Sequence, residues 1–390
     1  MGAQDSPALS ASSKRFLFLF SDTGGGHRAS AQAVKDEMAH LYGDAATVEM
    51  VDLFVEMRRW PFDRFPAWYP VAVGLNAIPW HIAYHLSDAM PVVKLLSGAV
   101  WPYAAPSLCH VLEQHPADVI VSFHGIPNAA LLLARRKMAL RNPFAIVTLD
   151  LVSVHAGWFT PGADLYIVPT EAARRRALHA GVTEERVHVI GMPVRRSFVE
   201  ARDMPQAEAR DLLGLPQDRP IVLMMGGGEG MGPLVPVVRA IAECMPAAGD
   251  SRAHLVVIAG RNEALYHTLR TLDVPVPLQV EGFLTNIAVW MRAVDILVTK
   301  AGPNTLAEAF IAGLPLVLYA AIPGQEEGNI LHVVENRAGV WAPKPQVAAD
   351  AVINLLADPA QRAAMAARSQ ALARPHATEE IARHLWDLRQ

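Results

Sequence analysis

Strand-length apolar runs alternate with helix-length segments along most of the chain, and this alternation constrains the fold more than any other feature. In the first half the runs are RFLFLF, ATVEMVDLF, ADVIVSFH, FAIVTLDLV, DLYIVPT and RVHVIG. In the second half they are PIVLMMGGG, AHLVVIAG, VPLQVEGF, DILVTKAG and LPLVLYAA. Strands that alternate with helices form parallel sheets, and nearly continuous apolar strands are typical of sheets covered on both faces. The sequence therefore predicts an α/β protein.

Two domains are predicted, because 390 residues can build two cores of ordinary size. The charged, proline-containing segment SFVEARDMPQAEARDLLGLPQDRP separates the two sets of strands. We expect a flexible tail over 1–14, a first Rossmann-like domain over 15–198 and a second over 199–374, with a C-terminal helix at about 375–390 packed back on the first. Ligands of such proteins bind at the carboxyl ends of the strands, so the site is expected in the cleft between the domains.

Composition narrows the classes of partner. Hydrophobic residues make up 52% of the chain and the formal net charge is -4, which argues against disorder and against a nucleic-acid partner. The only cysteines, Cys109 and Cys244, are far apart, so neither a disulfide framework nor a thiolate metal site is indicated. The first residues lack the apolar core of a signal peptide. These features favour a cytoplasmic location.

An aromatic segment without charged residues raises the question of contact with lipid. Residues 65–87, FPAWYPVAVGLNAIPWHIAYHLS, have the length of a membrane-spanning helix, but three prolines interrupt them. Basic residues flank the segment, and aromatic rings beside basic side chains suit a headgroup interface. We interpret Trp60, Trp68, Tyr69 and Trp80 as a contact with a membrane surface. A buried, proline-kinked helical pair is the alternative.

A glycine-rich turn with a histidine follows the first strand. GGGHRA, residues 24–29, matches G-x-G-x-x-G/A between a strand and a helix, with Glu49 and Asp52 downstream. A dinucleotide-binding oxidoreductase is therefore a competing interpretation. His27 begins a helix, whose positive end favours a neutral imidazole that can act as a general base. The alternative is that His27 only caps the turn or binds a phosphate.

Two further turns in the second half point to an anionic ligand. GGGEGMG and KAGPNT each follow a strand, and their backbone amides can hold phosphates near a helix N-terminus. Glu308, one turn into the next helix, can accept hydrogen bonds from ribose hydroxyls or act only as a dipole partner. The loop PGQEEGN collects the amides and carboxylates that sugar hydroxyls need, with a solvated surface turn as its alternative.

Several motifs of other enzyme classes are missing from the sequence. There is no G-x-x-x-x-G-K-[ST], no G-x-S-x-G and no H-E-x-x-H. No two aspartates stand two apart, so the D-x-D pair that holds a divalent metal in many nucleotide-sugar enzymes is missing as well. We expect a reaction that needs neither a metal nor another cofactor.

These motifs, in this order, resemble those of the monogalactosyldiacylglycerol (MGDG) synthase family, glycosyltransferases of family 28 with the GT-B fold. The resemblance rests on SDTGGGHRAS, TLDLVSVHAGWF, GGGEGMG and the run from VEGFLTN to PGQEEGN, and it covers about residues 15–340. Diglucosyl-diacylglycerol synthases and the peptidoglycan transferase MurG are relatives of this family. The resemblance implies two Rossmann-like domains with parallel sheets facing a central cleft, with the acceptor and membrane on the first domain and the UDP-sugar on the second.

The resemblance also implies roles for single residues. His27 corresponds to the general base, and Asp150 orients it or is itself the base. Asn304 stands where the plant enzymes have glycine. On the acceptor and membrane side, Trp158 and His155 join the four aromatic residues named above. The donor-binding set comprises glycines and side chains around the diphosphate, uracil, ribose and sugar, namely Gly25, Gly26, Gly226, Gly227, Gly228, Arg261, Phe283, Gly302, Asn304, Thr305, Glu308, Gln325, Glu326 and Asn329.

The implied reaction is inverting transfer of a hexose, with galactose favoured, from a UDP-sugar to the sn-3 hydroxyl of 1,2-diacylglycerol. The alternatives are a UDP-glucose-dependent transferase that adds one or several sugars, and a UDP-sugar transferase with another acceptor. The expected partners are UDP-galactose or UDP-glucose, diacylglycerol and a membrane surface with anionic lipids. The expected location is cytoplasmic and peripheral, on the inner face of the cell membrane.

Overall fold

The structure is a computed structural model that describes residues 13–23, 25–69, 77–228, 230, 232–245 and 253–389. Residues 1–12 of the predicted tail lie outside this range, as do Gly24 of the first glycine turn and Glu229 and Met231 of the second. Two six-stranded parallel sheets organise the described residues, as the alternation of strands and helices predicts.

The first sheet has the strand order β2-β1-β3-β4-β5-β6. The four inner strands of this sheet are buried because helices cover both faces, whereas the two edge strands are partly exposed. The strands are β1 Lys14–Phe20, β2 Ala46–Asp52, β3 Val119–Ser122, β4 Phe144–Val147, β5 Leu165–Val168 and β6 Val187–Val189. The helices of this domain are α1 Gly26–Tyr42, α2 Leu53–Glu56, α3 Ala77–Ser87, α4 Met90–Gln114, α5 Asn128–Lys137, α6 Glu171–His179 and α7 Arg196–Arg202.

The second sheet has the strand order β12-β11-β10-β7-β8-β9. Its strands are β7 Ile221–Met225, β8 His254–Ile258, β9 Leu278–Glu281, β10 Ile296–Lys300, β11 Leu316–Ala320 and β12 Gly339–Trp341. The helices that follow α7 are α8 Gln206–Leu213, α9 Leu234–Cys244, α10 Glu263–Arg270, α11 Ile287–Ala293, α12 Pro303–Ala312, α13 Glu327–Glu335, α14 Pro345–Ala357, α15 Pro359–Ala371 and α16 Ala377–Asp387.

The C-terminal helix α16 packs on the first domain. The Trp386 ring stacks on Tyr42 of α1 at 4.1 Å between centroids. Lys14 Nζ donates to the Trp386 carbonyl at 2.5 Å, and the Thr378 hydroxyl donates to the Val194 carbonyl at 2.7 Å. The last described helix therefore belongs, by its packing, to the first domain.

The aromatic segment contributes to helices that pack along the first domain. Residues 70–76 of this segment lie outside the described range. Among the residues that the structure describes, no helix has both the length and the apolar character needed to cross a membrane. The prolines Pro102 and Pro106 fall inside α4.

Candidate active site

Three polar side chains lie at the carboxyl edge of the first sheet. His27 follows β1, His124 follows β3 and Asp150 follows β4, and these strands are neighbours in the sheet. Parallel strands end at one common edge, so the fold brings together residues that are far apart in sequence. The rings of His27 and His124 are 4.5 Å apart, and the Trp158 ring is 6.3 Å from that of His27.

His27 is held as a neutral imidazole. It is the second residue of α1, which starts after Gly25 in the left-handed conformation, φ 76°. Burial lowers the pKa of His27 to about 4, and a hydrogen bond to the backbone of Thr23 opposes this. Nδ1 of the ring lies 3.3 Å from Thr23 Oγ1. In the tautomer that carries its proton on Nδ1, the Nε2 lone pair is available to accept a proton.

His124 belongs to the site although the sequence analysis did not select it. Its Nδ1 accepts a hydrogen bond from the Ile126 amide at 3.3 Å, so the neutral ring carries its proton on Nε2. That nitrogen lies 3.2 Å from Thr23 Oγ1. Burial and the neighbouring His27 hold the pKa of His124 well below its usual value. The signal in the sequence was a histidine directly after the buried strand ADVIVSFH.

Asp150 is held by donors from both domains. Its Oδ2 accepts from Trp158 Nε1 at 2.7 Å and its Oδ1 accepts from Gln325 Nε2 at 3.1 Å. Burial raises the pKa of Asp150 to about 6, although both hydrogen bonds favour the carboxylate. Among the hydrogen bonds of the described residues, none joins Asp150 to His27. The carboxylate therefore positions Trp158 and Gln325 rather than the histidine it was expected to orient.

The turn after β7 forms one wall of the second domain's side of the cleft. Gly226 follows the strand directly, and Gly227 adopts a φ of 77°. The Arg261 amide donates to the Gly228 carbonyl at 2.9 Å, which holds two loops together. The Arg261 guanidinium lies 4.1 Å from the ring centre of Phe283, which is half exposed. An exposed ring beside a cation suits the face of a base.

Lys300 ends β10 and lies between the two glycine turns. A Cβ at Gly302 would be 2.7 Å from Lys300 Nζ, and one at Gly227 would be 3.6 Å from its Cε, so glycine leaves room for the lysine. Lys300 Nζ donates to Glu326 Oε1 at 2.5 Å, and Glu326 Oε2 accepts from the Ile322 amide at 2.8 Å. Glu326 is buried and both its oxygens are engaged within its own domain. Its expected contact with a sugar stays a prediction.

The start of α12 faces the cleft with its backbone amides. Gly302 is the N-cap, and the buried Thr305 lies in the first turn. Glu308 lies one turn further on, where burial raises its pKa to about 7 and Arg195 opposes the shift. At neutral pH this carboxyl group can both donate to and accept from a ribose hydroxyl. The arrangement suits a diphosphate at the helix start and a ribose beside it.

Asn329 supports the turn before α12 from inside the domain. It is buried, and its Nδ2 donates to the Ala301 carbonyl at 2.9 Å. Its Oδ1 is buried without a hydrogen-bond partner. Asn329 therefore holds this turn in place, and its expected contact with the donor stays a prediction.

Two residues expected to bind the donor instead join the domains across the cleft. Asn304 Nδ2 donates to the Gly26 carbonyl at 3.3 Å and to Ser30 Oγ at 2.8 Å. Gln325, besides its bond to Asp150, accepts from the Tyr69 hydroxyl at 3.0 Å. Their expected contacts with the donor stay predictions.

The aromatic residues divide into an exposed and an inward-facing group. Trp60 and Trp68 are 67% and 49% exposed, and their rings meet edge to face at 6.5 Å. Tyr69 and Trp80 face inward, with ring centroids 5.2 Å apart. Helices α3 and α4 add further exposed apolar side chains, namely Ile82, Leu86, Leu95, Leu96, Val100 and Tyr103.

Trp158 and His155 do not belong to the exposed aromatic surface. Trp158 is 3% exposed, so its burial excludes contact with a membrane and places it at the cleft beside His27. His155 Nε2 lies 3.1 Å from Ser87 Oγ, and His155 Nδ1 accepts a hydrogen bond from the Gly157 amide at 3.0 Å. His155 shapes the turn that presents the Trp158 indole to the cleft, and the predicted acceptor role of both residues stays a prediction.

Comparisons with families and curated proteins agree on one relationship. Residues 27–194 match the family model described as Monogalactosyldiacylglycerol (MGDG) synthase, and residues 221–380 match the Glycosyltransferase family 28 C-terminal domain. A probable chloroplastic MGDG synthase of Nicotiana tabacum is 35% identical, over 99% of this chain and 73% of that protein. Chloroplastic MGDG synthase 1 of Arabidopsis thaliana is 35% identical, over 96% of this chain and 71% of that protein.

Solved structures confirm the predicted GT-B fold. MurG of Acinetobacter baumannii aligns with a TM-score of 0.60 at 16% identity, over 96% of this chain and 100% of that one. The UDP complex of MnaA from S. aureus aligns with a TM-score of 0.62 at 16% identity, over 95% of each chain. At these identities the likeness establishes the fold alone.

The curated relatives also correct one prediction. The location expected from the sequence was cytoplasmic, on the inner face of the cell membrane. Both curated relatives named above are chloroplastic, so this expectation was wrong. The error arose because a missing signal peptide was taken as evidence for the cytosol.

Proposed function

The chain belongs to the monogalactosyldiacylglycerol synthase family, and on that premise we propose that it transfers galactose from UDP-galactose to the sn-3 hydroxyl of 1,2-diacylglycerol. The product is the β-anomer, because direct displacement at C1 inverts the α-linked donor. The observation that carries the proposal is the neutral His27, which lies at the cleft where the first domain meets the phosphate turns of the second.

His27 acts as the general base in this proposal. Nε2 takes the proton of the acceptor hydroxyl while its oxygen bonds to C1 and the bond from C1 to the UDP oxygen breaks. Trp158 and Asp150 line the space beside His27. The negative charge that develops on UDP lies near the N-terminus of α12 and Lys300, which favour an anion.

We further propose that the transfer itself needs no metal and no cofactor. The support is the cationic Lys300 between the two glycine turns and the absence of a D-x-D pair from the sequence. A lysine and a helix start can supply the charge stabilisation that Mg²⁺ supplies in other nucleotide-sugar enzymes.

The direct test uses purified protein, diacylglycerol in liposomes and an excess of EDTA, with UDP-galactose or UDP-glucose as the donor. We expect a galactosyl-diacylglycerol by mass spectrometry and a β-anomeric signal by NMR, with unchanged turnover in EDTA. If product forms with UDP-glucose and not with UDP-galactose, the sugar transferred is glucose and not galactose. Loss of turnover in EDTA that returns with Mg²⁺ would contradict the metal-free reaction.

The pH profile distinguishes His27 from Asp150 as the base. Burial lowers the pKa of His27 to about 4 and raises that of Asp150 to about 6. A base must be deprotonated to act, so with His27 as the base the Asp150→Asn variant should keep turnover, and its kcat/KM should be flat from about pH 5.5 to 8. If the variant has no turnover and the wild-type kcat/KM falls below about pH 6, the ionised Asp150 is required, and His27 is not sufficient as the base.

We also propose that the exposed aromatic surface rests on a membrane. The support is the cluster of exposed apolar side chains on α3 and α4 around Trp60 and Trp68. Basic residues surround it, and the Arg59 guanidinium lies 3.9 Å over the Tyr103 ring. Apolar rings within a basic border match the chemistry of an anionic lipid surface.

Replacing Trp60 and Trp68 together by serine should weaken binding to anionic liposomes by about 1000-fold. Each indole buries roughly 100 Å² of newly covered apolar surface at the interface, worth about 2 kcal/mol or more. Flotation with liposomes measures the effect. Trp341→Ser is the matched control, because Trp341 is 37% exposed but lies in the second domain. Equal flotation of all three proteins would remove this surface from the proposal.

A further inference from the structure

Three side chains that bind metals in other proteins meet where the two domains touch. His81 and His85 stand one turn apart on α3, so both imidazoles lie on one face of the helix. Glu327 is the first residue of α13 in the second domain. One ligand atom from each of the three lies within 4.8 Å of the other two.

Among the described residues, the hydrogen bonds and ion pairs of these side chains do not explain why they approach one another. His81 Nδ1 is buried without a hydrogen bond and lies 3.8 Å from Glu327 Oε1. The rings of His81 and His85 meet edge to face at 4.4 Å. Within the part of the chain that the structure describes, no other three His, Cys, Asp or Glu side chains gather this closely.

We propose that His81, His85 and Glu327 bind one divalent transition metal, with Zn²⁺ as the best match. Two imidazoles and one carboxylate form a ligand set typical of zinc with an open fourth position, whereas Mg²⁺ and Ca²⁺ prefer oxygen ligands. Metal–ligand bonds of about 2 Å require the three atoms to approach by roughly 1 to 1.5 Å. Rotation of the exposed His85 and Glu327 side chains supplies this movement.

The site would join the sugar loop to the acceptor domain. Glu327 follows Gln325 and Glu326 directly, in the loop PGQEEGN. A Cβ at Gly324 of that loop would be 2.8 Å from the Tyr84 ring and 3.5 Å from His85 Nε2, so loop and helix are already in close contact. A metal bound here ties α3 to α13 and restrains the opening of the cleft. Because UDP must leave before the next donor enters, the bound metal slows turnover.

Isothermal titration of Zn²⁺ into the EDTA-treated and dialysed full-length protein tests the site. We expect one equivalent bound by the wild type and by the control His110→Ala, whose histidine is exposed on α4. His85→Ala and Glu327→Gln should each bind at least about tenfold more weakly, with unchanged circular dichroism, because each variant loses one metal–ligand bond. Equal affinity in all four proteins, or no binding at about 100 μM Zn²⁺, would overturn the proposal.

A second measurement tests whether the bound metal restrains the opening of the cleft. This part of the inference rests on the proposed function. Zn²⁺ should inhibit galactose transfer by the wild type and by His110→Ala, and EDTA should reverse the inhibition. His85→Ala and Glu327→Gln, each compared with its own activity without metal, should resist inhibition. Full turnover with the metal bound would overturn the restraint. Absence of transfer under all conditions would count against the proposed function, while the titration would still decide the metal site.

Discussion

Replacing His27 by alanine should lower the turnover of galactose transfer by about 10² to 10⁴-fold, which is the usual contribution of a general base. The affinity for UDP should change little, because UDP is expected to contact the phosphate turns of the second domain. Turnover is measured with saturating UDP-galactose, and UDP binding by isothermal titration calorimetry.

A matched control separates this effect from a general disturbance of the fold. His110→Ala removes an exposed histidine of the same domain and should leave turnover unchanged. His124→Ala should lower turnover less than His27→Ala, since His124 only positions the His27 ring, through Thr23 and through direct ring contact. If His27→Ala weakens UDP binding strongly and keeps its turnover at saturation, His27 binds a phosphate and is not the base.

The fold followed from the sequence because most strands contain a nearly continuous apolar run and most are followed by a helix. Runs such as RFLFLF and PIVLMM have one stable environment, the middle of a sheet covered on both faces. The position of the site at the carboxyl ends of the strands followed from the same pattern. His27 was therefore placed in the cleft from sequence alone.

The contacts between the domains could not be deduced in the same way. Asn304 and Gln325 were assigned to the donor from their turns, yet in the structure they hydrogen-bond to Gly26 and Ser30 and to Asp150 and Tyr69. These pairs depend on how far the cleft is closed, and local sequence patterns carry no information on domain closure.

The side chains assigned together to the acceptor and membrane side differ in how exposed they are in the structure. Six side chains were assigned to the acceptor and membrane side, but only Trp60 and Trp68 are well exposed. The same aromatic residue types occur at membrane interfaces and in protein cores, so only the packing seen in a structure can distinguish the two environments. His124 was missed for the opposite reason, because a single histidine after a strand has no spacing that marks it.

Lys300 has two roles that are separable by experiment. It neutralises the buried carboxylate of Glu326, and it places a cation between two glycine turns suited to a diphosphate. An ion pair of this kind adds little net stability, but removing one partner leaves the other charge buried and unpaired. A single substitution of Lys300 therefore damages folding and catalysis together, and its effect on turnover alone cannot be assigned.

We expect Lys300→Met to lower the free energy of unfolding by about 3 to 5 kcal/mol, since Glu326 is only 2% exposed and loses the cation that pairs with it. Adding Glu326→Gln removes that charge and should restore most of the stability, as measured by urea unfolding at pH 7. Turnover should not recover: the double variant should stay about 10² to 10³-fold below the wild type, because the diphosphate still lacks its cation as UDP leaves. Glu326→Gln alone is the matched control, since it keeps the lysine. Recovery of both stability and turnover in the double variant would make Lys300 a structural residue and leave the start of α12 as the group that stabilises the leaving UDP.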